Sequence, residues 1–398
     1  MDIAKYLGSV EKQFYKKNKD SSVEFKYASQ ERPPTGLMVD NPQLEYILDR
    51  RFMAFGRAYL TYGEKGSSKT SLFYDFAKMF QRNKGLVIWL ETENAADKDY
   101  AAKQGVDLEK LVLQHPATLE DALTLAETYI RNLPKEDPEG TTPVLICLDS
   151  LAGSTTDYEL DTSHDVRDLM PGSHARILSR FYREIEHPLA TEKCMFLAIN
   201  QLKEKIGAFG WSAESKESMI GGNAPLFSST YQFKMDKMSE MMGPDDNGVE
   251  RKIGSIHKIL CRRNKLGREG KGQDAEVDLY IEGGMDWYSP LIRRLTKSYP
   301  HILERGGGYS YWKVPGIKGL ADDGSEITLS KDQAYRDSDM ARMLSRSPEM
   351  KEAVRQAFKI PNLPTAQEVA EVEQERQTKR KRRAKTLDEP MHHPVIAV

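Results

Sequence analysis

The stretch GEKGSSKT, residues 63–70, concentrates more chemistry than any other part of the chain. It follows a short β-like run, RAYLTYG, and opens a run of helical periodicity, TSLFYDFAKMF. A phosphate-binding loop needs that strand–loop–helix setting. There the backbone N–H groups of Gly63, Glu64, Lys65, Gly66, Ser67, Ser68 and Ser71, with the helix N-terminus, surround the phosphates of a nucleotide. Lys69 reaches the β- and γ-phosphates and Thr70 holds Mg²⁺. One residue departs from the pattern: Ser68 stands where a glycine usually precedes the lysine, and a glycine falls at 66 instead. A side chain there strains a turn that favours glycine. The same letters also describe a Gly/Ser turn that caps a helix.

Two acids complete the set. Asp149 ends the apolar run PVLICLD about eighty residues later, where a carboxylate at a strand end can hold the water shell of a metal. Glu93 follows the run GLVIWLE, and an acid at such a strand tip can position or deprotonate an attacking water. Glu91, Thr92, Glu93 and Asn94 equally suit the start of a helix.

The elements that must carry these residues alternate. Buried β-like runs (RAYLTYG, GLVIWLE, PVLICLD, CMFLAIN) are separated by helical stretches at 70–80, 119–132 and 173–190. Alternation of this kind implies crossover connections and a mostly parallel sheet. Further strands are expected at YQFKM, SIHKILCRR and AEVDLYI. The expected division is an N-terminal segment 1–34, with helical spacing over 1–20 and a polar linker from 21, an α/β core 35–273, a small α+β C-terminal domain 274–364, and a charged mobile tail 365–398. Charged residues make up 30% of the chain and hydrophobic ones 39%, which suits a globular protein with a core. No apolar run approaches membrane-span length, so an intracellular protein is expected. Cys147, Cys194 and Cys261 sit in apolar runs without metal-ligand spacing and read as buried thiols. Net charge is −2, so nucleic-acid contact has to come from local patches. One patch is 251–272, with eight Lys/Arg against Glu269; another is Lys379, Arg380, Lys381, Arg382, Arg383 and Lys385.

GEKGSSKT, LETENAADKDYAAKQGVD, LICLDSLAG, FLAINQLKEKIGAFG, GGNA and GGMDWYSPLIRRL follow one another in the order and spacing of one family. Over residues 8 to 315 the chain resembles the RecA-type homologous recombinases, most of all those of the phage UvsX/RecA kind. The resemblance implies a RecA-type P-loop ATPase core with an N-terminal polymerisation helix. It makes Glu93 the residue that activates water and assigns Asp97 and Tyr100 to the adenine, where a tyrosine face stacks on a base. Asp149 becomes the metal-associated acid, with Ser150 beside it, and Gln201 the sensor that links the γ-phosphate to a DNA loop. Arg263 and Lys265 would enter the neighbouring subunit's ATP site, although a solvated basic strand edge fits them as well.

The resemblance also implies two DNA segments, about 156–173 and 202–220. On the helix after the first, Arg176, Ser179 and Arg183 share a face and would touch phosphates. In the second, Lys203 and Lys205 would hold phosphates, Ile206 would wedge between base triplets, and Gly221, Gly222 and Asn223 would supply backbone and amide contacts. The second loop is a few residues longer than in RecA, and Pro171 stands where the family has another apolar wedge. The implied activity is DNA-dependent ATP hydrolysis in a helical filament on single-stranded DNA, with pairing and strand exchange against homologous duplex DNA. A single-strand-binding protein and a loader are implied partners. Two other readings of the same ATP site remain: a ring-forming helicase with a RecA core, and a DNA-coating mediator that hydrolyses ATP poorly because of Ser68.

Overall fold

The structure, a computed structural model, describes residues 2–18, 34–93, 95–161, 172–204, 217–244, 248–267, 273–363 and 365–388. Helix α1 (Ile3–Lys17) is followed by β1 (Gly36–Met38), α2 (Pro42–Leu48) and β2 (Phe52–Ala54). The core then alternates: β3 (Arg57–Gly63), α3 (Lys69–Arg82), β4 (Leu86–Glu91), α4 (Lys98–Lys103), β5 (Leu111–Gln114), α5 (Leu119–Glu136), β6 (Val144–Asp149), α6 (Asp157–Leu160), α7 (Ser173–Ala190) and β7 (Cys194–Glu204). After β8 (Glu217–Met219) and α8 (Ala224–Ser228) come four strands, β9 (Tyr231–Pro244), β10 (Glu250–Asn264), β11 (Asp274–Tyr280) and β12 (Gly284–Asp286). The central sheet has the order β12-β11-β10-β9-β3-β7-β6-β4-β5. Strands from β9 to β5 pair in parallel, and β9 to β12 extend the sheet antiparallel. This is the mostly parallel α/β core that the alternation implied.

The parallel strands are apolar on both faces because helices cover both. On one side Phe73, Phe76 and Phe80 of α3 pack on Trp89, Cys147 and Leu197; on the other Phe181, Tyr182 and Ile185 of α7 pack on Leu60, Ile146 and Phe196. Each crossover brings the chain back to the same sheet edge, so the ends of β3, β4, β6 and β7 lie side by side. Glu91 stands level with Asp149, and Gly63 level with Gln201. The three cysteines are buried in β6, β7 and β10.

Two expected boundaries differ. β11 and β12, counted with the C-terminal domain, complete the edge of the central sheet, so the separate apolar cluster begins after 286. That cluster, around Trp312, is built by α9 (Tyr288–Ser298), β13 (Leu303–Gly306), β14 (Tyr309–Trp312), β15 (Lys318–Leu320), β16 (Glu326–Thr328), α10 (Asp337–Arg346) and α11 (Pro348–Phe358). Within the stretch expected as a mobile tail, α12 (Ala366–Asp388) forms, and residues 389–398 lie outside the described residues. Its composition is too polar to bury an apolar face, but Arg380 is 2% exposed, pairs with the buried Glu192 at 3.0 Å, and donates to the carbonyls of Leu133 and Asp137. Arg376 lies over the ring of Phe55. Part of the basic run is therefore spent on docking the helix.

Candidate nucleotide and DNA site

The loop 63–70 joins β3 to α3 as a tight, mostly backbone-determined turn. Gly63 admits no side chain, because a Cβ would stand 2.3 Å from the carbonyl oxygen of Met235. Gly66 and Ser68 both have left-handed backbone, with φ of 80° and 64°. Lys69 Nζ folds back and donates to the carbonyls of Glu64, at 2.8 Å, and Gly63, at 3.3 Å. Burial lowers its pKa, and the charges of Asp149 and Glu93 oppose that shift. The ammonium is thus stored at the loop, where phosphate oxygens would take over its bonds.

Thr70 Oγ1 donates to Asp149 Oδ2 at 2.7 Å, which joins the start of α3 to the end of β6. Burial pushes the Asp149 carboxyl up to about 7; the Thr70 hydrogen bond works against this, while Glu93 and Glu91 add to it. A buried carboxylate with acidic neighbours gains from a cation, and a hydroxyl and a carboxylate are the hard oxygen donors that Mg²⁺ prefers. The residues present therefore fit the metal expected here.

Glu93 sits just beyond β4 and is held from two sides. Gln201 Nε2 donates to Glu93 Oε1 at 2.9 Å, and Ser150 Oγ donates to the same oxygen. Ser150 Oγ in turn accepts from Gly153 N at 3.1 Å. A Cβ on Gly153 would lie 2.2 Å from Glu93 Cγ, so this glycine leaves room for the acid. The turn that presents Glu93 is shaped by Glu91, 3% exposed, whose Oε1 accepts from Glu93 N at 2.9 Å and Ala95 N at 3.2 Å. His115 Nδ1 meets the other Glu91 oxygen at 3.1 Å. Glu91 thus supports the turn, and the helix cap belongs to Asp97, which accepts from Tyr100 N at 2.9 Å. The Tyr100 ring leans edge-on against Tyr74, and Tyr74 against Trp89. Sequence reasoning did not find Gly153, Glu91 or His115 as site residues. The glycine in LICLDSLAG was the available signal, but nothing in it pointed to Glu93, 60 residues earlier.

Arg263 and Lys265 do not meet their own chain's loop. Arg263 is in register with Gln232, itself level with Leu60, three residues back along β3 from Gly63. Lys265 Nζ donates to the carbonyl of Phe227 at 2.6 Å, and Arg263 to that of Leu226 at 3.5 Å, so both serve the carbonyl end of α8. The basic patch around them is partly neutralised: Lys252 pairs with Glu240 and Lys258 with Asp274.

The described elements next to the two candidate DNA segments meet. α7 presents Arg176 and Arg183 exposed and Ser179 half-buried. The turn at Gly221 and Gly222 rests on the same helix: a Cβ on Gly221 would be 2.3 Å from Leu178 Cδ1, and one on Gly222 would be 3.2 Å from Ala175 Cβ. Both glycines have positive φ and Asn223 is exposed beside them. Asn200, fully buried and adjacent to Gln201, donates to the carbonyl of Ile220 at 2.9 Å and so ties the end of β7 to this turn. Lys203 lies in β7, its backbone paired with Ser218. Lys205, Ile206, Phe209, Trp211 and Pro171 lie outside the described residues.

A mostly parallel sheet whose strand ends carry a Gly-rich strand–loop–helix turn, a Thr–Asp pair and an exposed acid is the arrangement of a P-loop core. The family model for the RecA N-terminal domain matches residues 3–286. Protein RecA of Bartonella quintana is 30% identical over 277 residues, 69% of this chain and 72% of its own. Protein RecA of Bartonella bacilliformis is 32% identical over 255 residues, 64% of this chain and 67% of its own. The chain belongs to the RecA family of recombinases.

Proposed function

We propose that this chain is a DNA-dependent ATPase that assembles on single-stranded DNA as an ATP-dependent helical filament and pairs it with homologous duplex DNA. The reading places it intracellularly, with the phage UvsX-type members, and with a single-strand-binding protein and a loader as partners. One observation carries it: the Gln201–Glu93 hydrogen bond, at 2.9 Å, joins the acid of the ATP site to the strand that leads into the second DNA segment.

In this reading Lys69 exchanges its loop carbonyls for β/γ-phosphate oxygens. Thr70 and Asp149 would hold Mg²⁺, which would supply positive charge to screen the phosphates. Glu93 takes the proton of the attacking water while Ser150 holds its carboxylate in place. A γ-phosphate oxygen competes with Glu93 for the Gln201 amide, so the end of β7 moves according to whether the phosphate is there, and Asn200 passes that motion to Gly221, Gly222 and Asn223. Arg176, Ser179 and Arg183 hold the phosphate chain, and Lys203, Lys205 and Ile206 are further DNA contacts. Asp97 and Tyr100 receive the base. Arg263 and Lys265 leave the α8 carbonyls for the ATP of the next protomer, so hydrolysis depends on assembly, and residues 1–34 supply the packing between protomers.

The test combines ATP turnover with and without single-stranded DNA, a three-strand exchange assay, and electron micrographs. Wild type is expected to form helical polymers and to turn over ATP faster with DNA. Glu93→Gln is expected to keep ATP and DNA binding and to lose turnover by roughly 100-fold or more. Equal DNA affinity with and without ATP, and no helical polymers, would reject the proposal.

A further inference from the structure

Ser68 occupies a turn position suited to glycine, yet it holds φ at 64° with no capping bond from its side chain into its own helix. Instead its hydroxyl lies 3.1 Å from Nε2 of His257. His257 is in β10, fully buried, and level with Lys237 of β9. Ser255 Oγ, two residues back on the same strand, lies 2.8 Å from that nitrogen. Nδ1 has no hydrogen-bond partner among the described residues. A ring nitrogen carries one proton or one lone pair, so Nε2 makes one full bond and the two hydroxyls share it. β10 antiparallel to β9 places His257 beyond the tip of β3, over the phosphate loop, while the far end of the same strand carries Arg263 and Lys265.

We propose that His257 is a positioning residue for nucleotide binding: its imidazole holds Ser68 in the left-handed turn, replacing the conformational freedom a glycine would supply. The left-handed region is disfavoured for a residue with a Cβ, and a buried hydrogen bond of ordinary strength offsets that penalty. With Ser68 held, the loop keeps the turn from which its backbone N–H groups would meet an anion. Ser255 is the second partner that keeps the ring oriented when Ser68 turns. The bond also ties the loop to the strand that bears the two cations, so the nucleotide site and the Arg263–Lys265 end share one rigid element. This inference rests on the reading of residues 63–70 as the ATP site.

The experiment measures the Kd of a fluorescent ATP analogue with Mg²⁺ for the full chain and for Ser68→Gly, His257→Ala, His257→Gln and the Ser68→Gly/His257→Ala double variant. His257→Ala is expected to weaken binding roughly three- to tenfold, the worth of one hydrogen bond. His257→Gln, whose amide nitrogen reaches the place of Nε2, is expected to come within about twofold of wild type. In the Ser68→Gly background, His257→Ala is expected to change Kd by less than about twofold, because glycine adopts the turn without an anchor. Equal weakening in both backgrounds would show a packing role and overturn the proposal. Should His257→Ala not fold, His257→Asn replaces it: its shorter amide misses Ser68, so binding as tight as that of His257→Gln overturns the proposal too. Wild type that does not bind the analogue at all overturns the ATP-site reading itself, an outcome distinct from the others.

Discussion

Glu93, the proposed base, shows how much of a side chain's placement is decided by its neighbours. Its carboxylate is exposed, so its orientation depends on Ser150, Gln201 and the space that Gly153 leaves. Gly153→Ala puts a methyl group where Glu93 Cγ stands, and the acid must swing away. ATP turnover is expected to fall at least about tenfold, since small misplacements of a reacting group are costly, with the ATP analogue's Kd nearly unchanged. A Gly153→Ala protein with wild-type turnover would remove Glu93 from the role of base. His257 is read by pH. Burial, and then the charges of Lys237 and Lys252, draw its pKa down to about 4. In the unfolded chain it takes up a proton near 6.5, so its contribution is complete above that value and is lost as pH falls from about 6.5 towards 4. Urea unfolding of wild type is expected to lose about 2 kcal/mol over that window beyond what His257→Gln loses. Parallel pH curves for the two proteins would refute the buried neutral imidazole.

Helix α7 is the element on which DNA contact is best judged. Its apolar face, through Leu178, Phe181, Tyr182 and Ile185, is fixed to the sheet, so Arg176 and Arg183 are held outward, on the helix whose Ala175 and Leu178 meet the Gly221–Gly222 turn. Exposed arginines that meet phosphates release counterions. In single-strand binding, the slope of log K against log salt is expected to become shallower by about 0.7 for each of Arg176→Ala and Arg183→Ala. An unchanged slope in both variants would place the DNA path elsewhere. The helix itself was readable from periodicity over 173–190, and the face from the spacing of the three residues. Its packing against a turn 40 residues later was not, because a glycine–glycine turn carries no marker of the surface it rests on.

At the scale of the whole molecule, the C-terminal stretch is part of the folded structure. α12 reaches back to α5 and to the segment after α7 through Arg380, whose partner Glu192 is fully buried. Removing one member of a buried ion pair leaves the other charge without compensation. Arg380→Ala is expected to destabilise the protein by about 3 kcal/mol, seen as a lower thermal midpoint, and adding Glu192→Gln is expected to recover part of the loss. A midpoint equal to wild type would mean that α12 is not docked in solution. Docking also limits how much of the 379–385 basic run is available to DNA.

The amino-acid sequence alone determined the strand–loop–helix unit at 63–70, the alternation that makes a parallel sheet, and the family. These depend on local spacing, and a strand–loop–helix unit keeps its meaning wherever it is placed. Tertiary structure decided the rest. Whether Glu93 meets Gln201, whether Gly153 makes room for it, and whether a histidine nearly 190 residues away steadies Ser68 depend on which strand ends the crossovers bring together. The tail makes the same point: its charge pattern predicts a solvated segment, and residues 366–388 dock because a buried glutamate and two carbonyls on distant elements offer Arg380 partners.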